Sequence, residues 1–236
     1  MTSQIQCQFL GGCEEVGRLA MLLETNGMRF LFEYGMSPGK PPSFPLPPPP
    51  IDITLLTHAH LDHSGMIPWL CSRFDHTLLA TQLTGEIGNL LQKDTIKIAK
   101  MEGYSCPFSS SDIKDAEHSL EPVSANSSRG IGEDYQLRIH SAGHIPGSLM
   151  FELQAEKNLL FTGDFNINDT RLVKGTKAVN CDILFLETTY AGREHPPRQQ
   201  LEKQFLEKIE EVVIFQARTN YSYIRKSSCV IIFFTI

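Results

Sequence analysis

His58-Ala59-His60-Leu61-Asp62-His63 directly follows the apolar run Ile51-Asp52-Ile53-Thr54-Leu55-Leu56-Thr57. Such a run reads as a buried strand. The histidines therefore sit on the loop at its C-terminal end, where α/β folds commonly build their active sites. His58 and His60 are two residues apart, so in an extended segment their rings point to the same side. Neutral imidazole is a good zinc ligand. Asp62 and His63 follow at once and can turn toward a second position. Four ligand-type side chains in six residues fit neither a core nor an ordinary surface loop. Ser64-Gly65 reads as the turn into a helix.

One loop cannot close a metal site, so further ligands are expected from other strand ends. His144 lies in Ser141-Ala142-Gly143-His144-Ile145-Pro146-Gly147-Ser148, a Gly-flanked loop between two strand patterns. Asp164 lies in Leu159-Leu160-Phe161-Thr162-Gly163-Asp164-Phe165, again just after an apolar run. The expected arrangement is two zinc sites. The first takes His58, His60 and His144, and the second takes Asp62 and His63. Asp164 bridges them, since a carboxylate has two oxygens and can join two cations. His76, His118 and His140 are isolated and read as structural or surface residues.

Working outward, IQCQFLG, LAMLLETN and MRFLFEYG read as strands ahead of the histidine loop. MIPWLCSRF and TGEIGNLLQKDTIKIAKMEG read as helices after it, the second with Ile87, Leu90, Leu91 and Ile96 as its apolar face. YQLRIHSAG, SLMFELQAE, KNLLFTGDF and CDILFLETTY form a second set of strands, and RQQLEKQFLEKIEEVV an amphipathic helix. Strands, helices and strands again predict an α/β protein with two sheets packed face to face and helices outside, an αββα sandwich. Ser124–Asp134 reads as a polar turn. Pro38–Pro50 is proline-rich and should run as extended polyproline II on the surface. One domain is expected over 1–213, followed by an atypical tail at 214–236.

The chain has 236 residues, 41% of them hydrophobic, enough to bury a proper core. A net charge of −6 argues against a histone-like, charge-driven nucleic-acid binder. It leaves room for an RNA-cleaving enzyme with a local basic groove. The six cysteines form no C-x-x-C pair, which speaks against a zinc ribbon and for reduced thiols in the cytoplasm. The N-terminus carries no signal-peptide pattern. The longest apolar run, Cys229–Ile236, is far shorter than the ~20 residues that span a bilayer. No membrane association is expected.

The motifs HAHLDH, GHIPGS and FTGDF together resemble the metallo-β-lactamase superfamily. LGGCEEVGR near the start and ETTYAGREHPPR near Glu187 resemble its β-CASP branch, the branch of RNase J and the polyadenylation-factor-like ribonucleases of archaea. The resemblance runs from about Phe9 to Val213. It implies hydrolysis of RNA phosphodiester bonds by a water activated between two zinc ions. Asp62 is implied as the group that orients that water or accepts its proton. Glu187 is implied as a support for a ligand histidine. Family members often dimerise.

The chain departs from the branch in two places. Glu33 stands where the family usually carries an aspartate that supports the histidine loop. The family's β-CASP domain and the late histidine that completes the second zinc site have no counterpart, so the chain reads as C-terminally truncated and the second site as incomplete. His195 does not match that ligand. Weak or absent RNA cleavage by this chain alone is expected. A small-molecule metallo-hydrolase of the thioesterase kind, or a truncated non-catalytic remnant, are the alternatives.

Overall fold

The computed structural model describes residues 5–194 and 196–219. It divides into two compact units, Met1–Thr189 and Tyr190–Ile236.

In the first unit, β1 (Gln6–Gly11), β2 (Ala20–Thr25) and β3 (Met28–Phe32) form an antiparallel meander. Next comes β4 (Ile53–Leu55), then a single helical turn, α1 (Leu61–Ser64), and α2 (Ile67–Cys71). Strand β5 (Thr77–Ala80), helices α3 (Gln82–Glu102) and α4 (Ser110–Ser119), and strand β6 (Leu120–Pro122) follow. Strands β4, β5 and β6 add in parallel to β3, giving a six-stranded sheet in sequential order. Parallel strands need crossovers; the non-helical segment 33–52 makes the one from β3 to β4, and helical segments make those from β4 to β5 and from β5 to β6. Strand β4 lies between β3 and β5 with all three residues buried, which is why its sequence is apolar rather than alternating.

The second sheet holds β7 (Ser127–Ile131), β8 (Tyr135–Ser141), β9 (Leu149–Gln154) and β10 (Asn158–Phe161) as an antiparallel meander. Strand β11 (Ile183–Phe185) closes it in parallel with β10. The alternation of β8, with Tyr135, Leu137 and Ile139 buried, turns one face inward. That face meets Phe30, Phe32, Leu55 and Leu79 of the first sheet in one apolar core. Phe32 and Phe161 lie with ring centroids 4.7 Å apart across the sheets. On the outer face of the first sheet, Leu22, Leu31 and Leu78 pack with Ile67 and Leu70 of α2 and Ile113 and Ala116 of α4. The outer face of the second sheet carries no helix among the described residues of this unit. Segment 165–181 covers part of it, with Phe165, Val179 and Cys181 over Ala142, Met150 and Leu160. The architecture is thus an α/β two-sheet sandwich in partial form, with helices α2 and α4 of this unit on the outer face of the first sheet.

Several sequence expectations need correction. The polar segment 124–134 contains strand β7, paired with β8 from Ser127↔Ile139 to Ile131↔Tyr135. Strands β5 and β6 and helix α4 had not been anticipated. Helix α3 does not bury the face that its large residues suggested. Thr84, Gly88, Gln92, Thr95 and Ala99 point inward, while Leu90 is 63% exposed. The helix packs on α4 and on α1, and the Gln92 amide donates to the Ser64 carbonyl at the end of α1 at 3.2 Å.

The second unit contains α5 (Arg198–Thr219), which continues past Val213. Ion pairs Arg198–Glu202 and Lys203–Glu207, each one turn apart, run along it. The end of the expected tail, 220–236, and His195 lie outside the described residues. Among the described residues, no helix is long and apolar enough to cross a membrane.

Candidate metal centre

The histidine loop is held by backbone hydrogen bonds before any side chain acts. Tyr34 donates its N–H to the His63 carbonyl at 2.9 Å, Met36 to Leu61 at 2.7 Å, and Leu19 to Asp62 at 2.9 Å. The chain leaving β3 therefore lies directly against the loop leaving β4. Gly35 makes this approach possible, since a Cβ there would fall 1.6 Å from the Asp62 carbonyl oxygen. Glu33, just after β3, is fully buried and holds a left-handed backbone at φ 61°. One of its carboxylate oxygens accepts the Thr57 N–H at 3.0 Å. The other lies 3.5 Å from Nδ1 of His63, and both of these atoms are buried without a hydrogen-bond partner.

His58, His60, His144 and Asp164 come together with one donor atom each, all within 4.8 Å of one another. Nε2 of His58 is 3.0 Å from Nδ1 of His60, which is 3.3 Å from Nε2 of His144. The first sheet delivers His58 and His60 from the C-terminal end of β4. The second delivers His144 from the β8–β9 turn and Asp164 from the end of β10. Gly163, at φ 52°, turns the chain beside Thr57, where a Cβ would lie 2.4 Å from the Thr57 hydroxyl oxygen.

The two Asp164 oxygens face different ways. Oδ2 lies 3.5 Å from Nε2 of His144 and 3.8 Å from Nε2 of His58, while Oδ1 lies 3.4 Å from Nε2 of His63. Asp62 stands at the rim, its Oδ2 3.6 Å from Nε2 of His63. Glu187 is farther from the cluster, but its charge acts on the His144 ring. One of its oxygens accepts the Thr189 N–H at 2.9 Å.

Burial, together with the neighbouring imidazoles, holds the His58 ring well below the usual histidine range, so it stays neutral with a lone pair free. Burial likewise lowers His144, opposed by the Asp164 charge. For His63 burial acts downward too, but the nearby Asp164 and Glu33 carboxylates lift it to about 10. Burial would raise the Asp164 carboxyl, but His63 and then His144 and His60 bring it below the ordinary value. Three ring nitrogens around one carboxylate form an electron-rich pocket that favours a proton or a metal cation at its centre.

Two supporting groups were not singled out from the sequence. The Thr57 hydroxyl lies 2.9 Å from Nδ1 of His58 and fixes that ring with Nε2 toward the cluster. The Ser148 hydroxyl accepts the N–H groups of His144 and Ile145, each at 3.2 Å, and shapes the turn that carries His144. Their signal was adjacency alone, a hydroxyl beside a ligand-type residue. The isolated histidines have local partners: His118 sits at the Lys114 carbonyl, and His140 pairs with Glu152 at 2.8 Å.

The family model of the metallo-β-lactamase superfamily matches residues 14–214. The chain belongs to this superfamily. Among curated relatives, a probable RNase MJ4 of Methanocaldococcus jannaschii is 36% identical over 87% of this chain and 50% of its own length. Transcription termination factor FttA of Lokiarchaeum is 35% identical over 85% of this chain and 34% of its own length. The chain thus spans about half the length of the first relative and about a third of the second. A solved archaeal metallo-β-lactamase superfamily protein from Sulfolobus tokodaii aligns with a TM-score of 0.45 at 17% identity, covering 71% of this chain and 66% of that one. Within the superfamily frame, the His/Asp cluster is a candidate metal centre across the mouth of the sandwich.

Proposed function

We propose that this chain carries the metal-holding half of a zinc-dependent ribonuclease of the β-CASP type, which cleaves RNA phosphodiester bonds. The Asp164 carboxylate carries the reading, because its two oxygens face separate sets of nitrogens. A first zinc would be held by His58, His60 and His144, a second by Asp62 and His63, with Asp164 shared. The donor set fits. Ligand atoms around one tetrahedral zinc, each about 2.0–2.1 Å from it, lie roughly 3.3 Å apart. The ring nitrogens here are separated by 3.0 and 3.3 Å. The unpartnered His63 Nδ1 and Glu33 Oε2 also fit, since a cation on Nε2 strengthens the Nδ1–H as a donor to that carboxylate.

Bound zinc would supply a water acidified toward neutral pH and positive charge for the phosphate oxygens. The chain's own groups do the rest. Asp62, on the open rim, orients the attacking water and takes its proton. Thr57 and Glu33 keep His58 and His63 in their working orientation. Glu187 supports His144 electrostatically, its negative charge favouring positive charge at that ring. The relatives, a probable RNase and a transcription termination factor, support RNA as substrate and a cytoplasmic setting. The segment ETTYAGREHPPR supports the β-CASP branch.

The test is zinc content by elemental analysis, set beside the His58→Ala/His60→Ala variant, with cleavage of end-labelled single-stranded RNA in the presence and absence of chelator. One to two zinc ions per chain, lost in the variant, and at most weak, chelator-sensitive cleavage are expected. A chain that takes up no zinc, or that cleaves equally well when chelated, removes the reading.

A further inference from the structure

The proline-rich segment before β4 has an order that its composition alone does not reveal. Pro42, Pro45 and Pro48 are buried, and Ile51 continues the series at 4% exposure. Burial at every third residue is the period of a polyproline II helix, a three-edged prism with three residues per turn. One edge is sunk into the body. The other two stay outside: Leu46 is 61% exposed, Pro47 and Pro50 are exposed, and Pro49 is half-buried.

The strip is also fixed in place. Its backbone polar groups bond to the body: Leu46 N–H to the Leu10 carbonyl at 2.9 Å, and the Phe44 carbonyl to the Arg18 guanidinium at 3.1 Å. The Leu46 carbonyl accepts the Tyr34 hydroxyl at 3.4 Å, and the Pro50 carbonyl accepts the Arg29 guanidinium at 3.4 Å. The proline N atoms have no proton to satisfy.

Modules that read polyproline II cover two edges of the prism and leave the third untouched. An SH3-class groove has two adjacent aromatic-walled slots, each taking an apolar–proline dipeptide, with one residue between them pointing away. Leu46-Pro47 and Pro49-Pro50 are two such dipeptides. The residue between them, Pro48, is the one this protein buries in itself. The free edges thus match what the groove requires, and the sunken edge matches what it ignores. Because the strip is already rigid, docking would cost little ordering entropy.

We propose that Leu46–Pro50, a surface polyproline II strip with one buried and two free edges, is the docking site for an SH3-class proline-recognition module. The strip lies in the chain itself and needs no metal, so the inference stands apart from the proposed nuclease.

The test titrates the full chain into a panel of recombinant SH3 domains by calorimetry, with a WW domain as comparator. Saturable SH3 binding, displaced by a free PxxP peptide, is expected. Pro47→Ala/Pro50→Ala should weaken it by about tenfold or more, as loss of principal anchors does, with an unchanged thermal melt. Leu46→Glu, at an exposed position, gives the same loss by a second route. Pro48→Ala leaves affinity within about twofold, because its side chain faces the body. The proposal is overturned by binding that survives both outward variants, by binding to the WW domain alone, or by no SH3 affinity tighter than about 1 mM.

Discussion

At the scale of single residues, Gly35 decides whether the histidine loop can sit where it does. A methyl group there would overlap the Asp62 carbonyl oxygen, 1.6 Å from the ideal Cβ position, and backbone cannot swing aside as a side chain can. Gly35→Ala should therefore cost about 1–3 kcal/mol in urea unfolding, in the range of overpacked sites, and should weaken zinc uptake in equilibrium dialysis. Unaltered stability together with unaltered uptake would show that the contact relaxes. His76 offers an independent check away from the cluster. Its ring is 9% exposed, and burial lowers its pKa below 6.5 against the opposing Phe74 carbonyl and Asp75 charge. The unfolded chain takes up this proton first as pH falls, so the His76 contribution is present above about pH 6.5 and is lost as pH drops below it. Melting curves from pH 7.5 to 5 should fall less steeply for His76→Gln than for the parent; identical slopes would assign the acid sensitivity elsewhere. The ligand-type residues were legible in sequence because their types are rare in such density. Thr57 and Ser148 were not, because a hydroxyl acquires its role only from the ring or turn beside it.

At the scale of elements, the N-terminus of α3 couples the helical layer to the turn that carries His144. The Thr81 hydroxyl caps the helix by accepting the Thr84 N–H at 3.0 Å. The Thr81 and Thr84 hydroxyls also lie 3.1 and 3.3 Å from the Gly147 carbonyl. Thr81→Ala should lower stability by about 1 kcal/mol as a lost cap, and should also reduce zinc affinity, because the Gly147 carbonyl loses a donor. A stability loss with zinc affinity unchanged would confine Thr81 to capping. The strands nearest the site were easy to read, since β4 and β10 are plain apolar runs ending in ligand-type residues. Helix α3 was misjudged in its facing. Its large apolar side chains suggested a core stripe, yet the buried positions are Thr84, Gly88, Gln92, Thr95 and Ala99, where Thr84 and Gln92 bond to Gly147 and Ser64, and Leu90 stays outside. Strand β7 escaped notice because an edge strand of serine, arginine and glycine has no apolar signature; its pairing with β8 defines it.

At the scale of the whole molecule, the two sheets meet in an apolar core and again at the candidate metal centre. His58 and His60 belong to one sheet, His144 and Asp164 to the other. A cation held by all four would tie the sheets together as a cross-link. Zinc at a hundred times its dissociation constant should then stabilise the fold by about 2.7 kcal/mol. The corresponding rise in melting temperature should vanish in Asp164→Ala. An equal rise in that variant would mean that the metal binds elsewhere. The pairing of two sheets was foreseeable from the order of strand and helix patterns. That α2 and α4 cover the outer face of the first sheet was not, because sequence periodicity does not say which sheet face a helix covers.

The hydrogen-bonding contact between His60 and His144 joins residues 84 positions apart. No local segment can assemble that contact. During refolding it can appear only after both sheets have formed and met, which is among the slowest kinds of event for a chain of this topology. Metal capture would therefore act as a clock for the end of folding. A zinc-sensitive dye added at the start of refolding should lose its metal to the protein with the last kinetic phase, not with the early collapse.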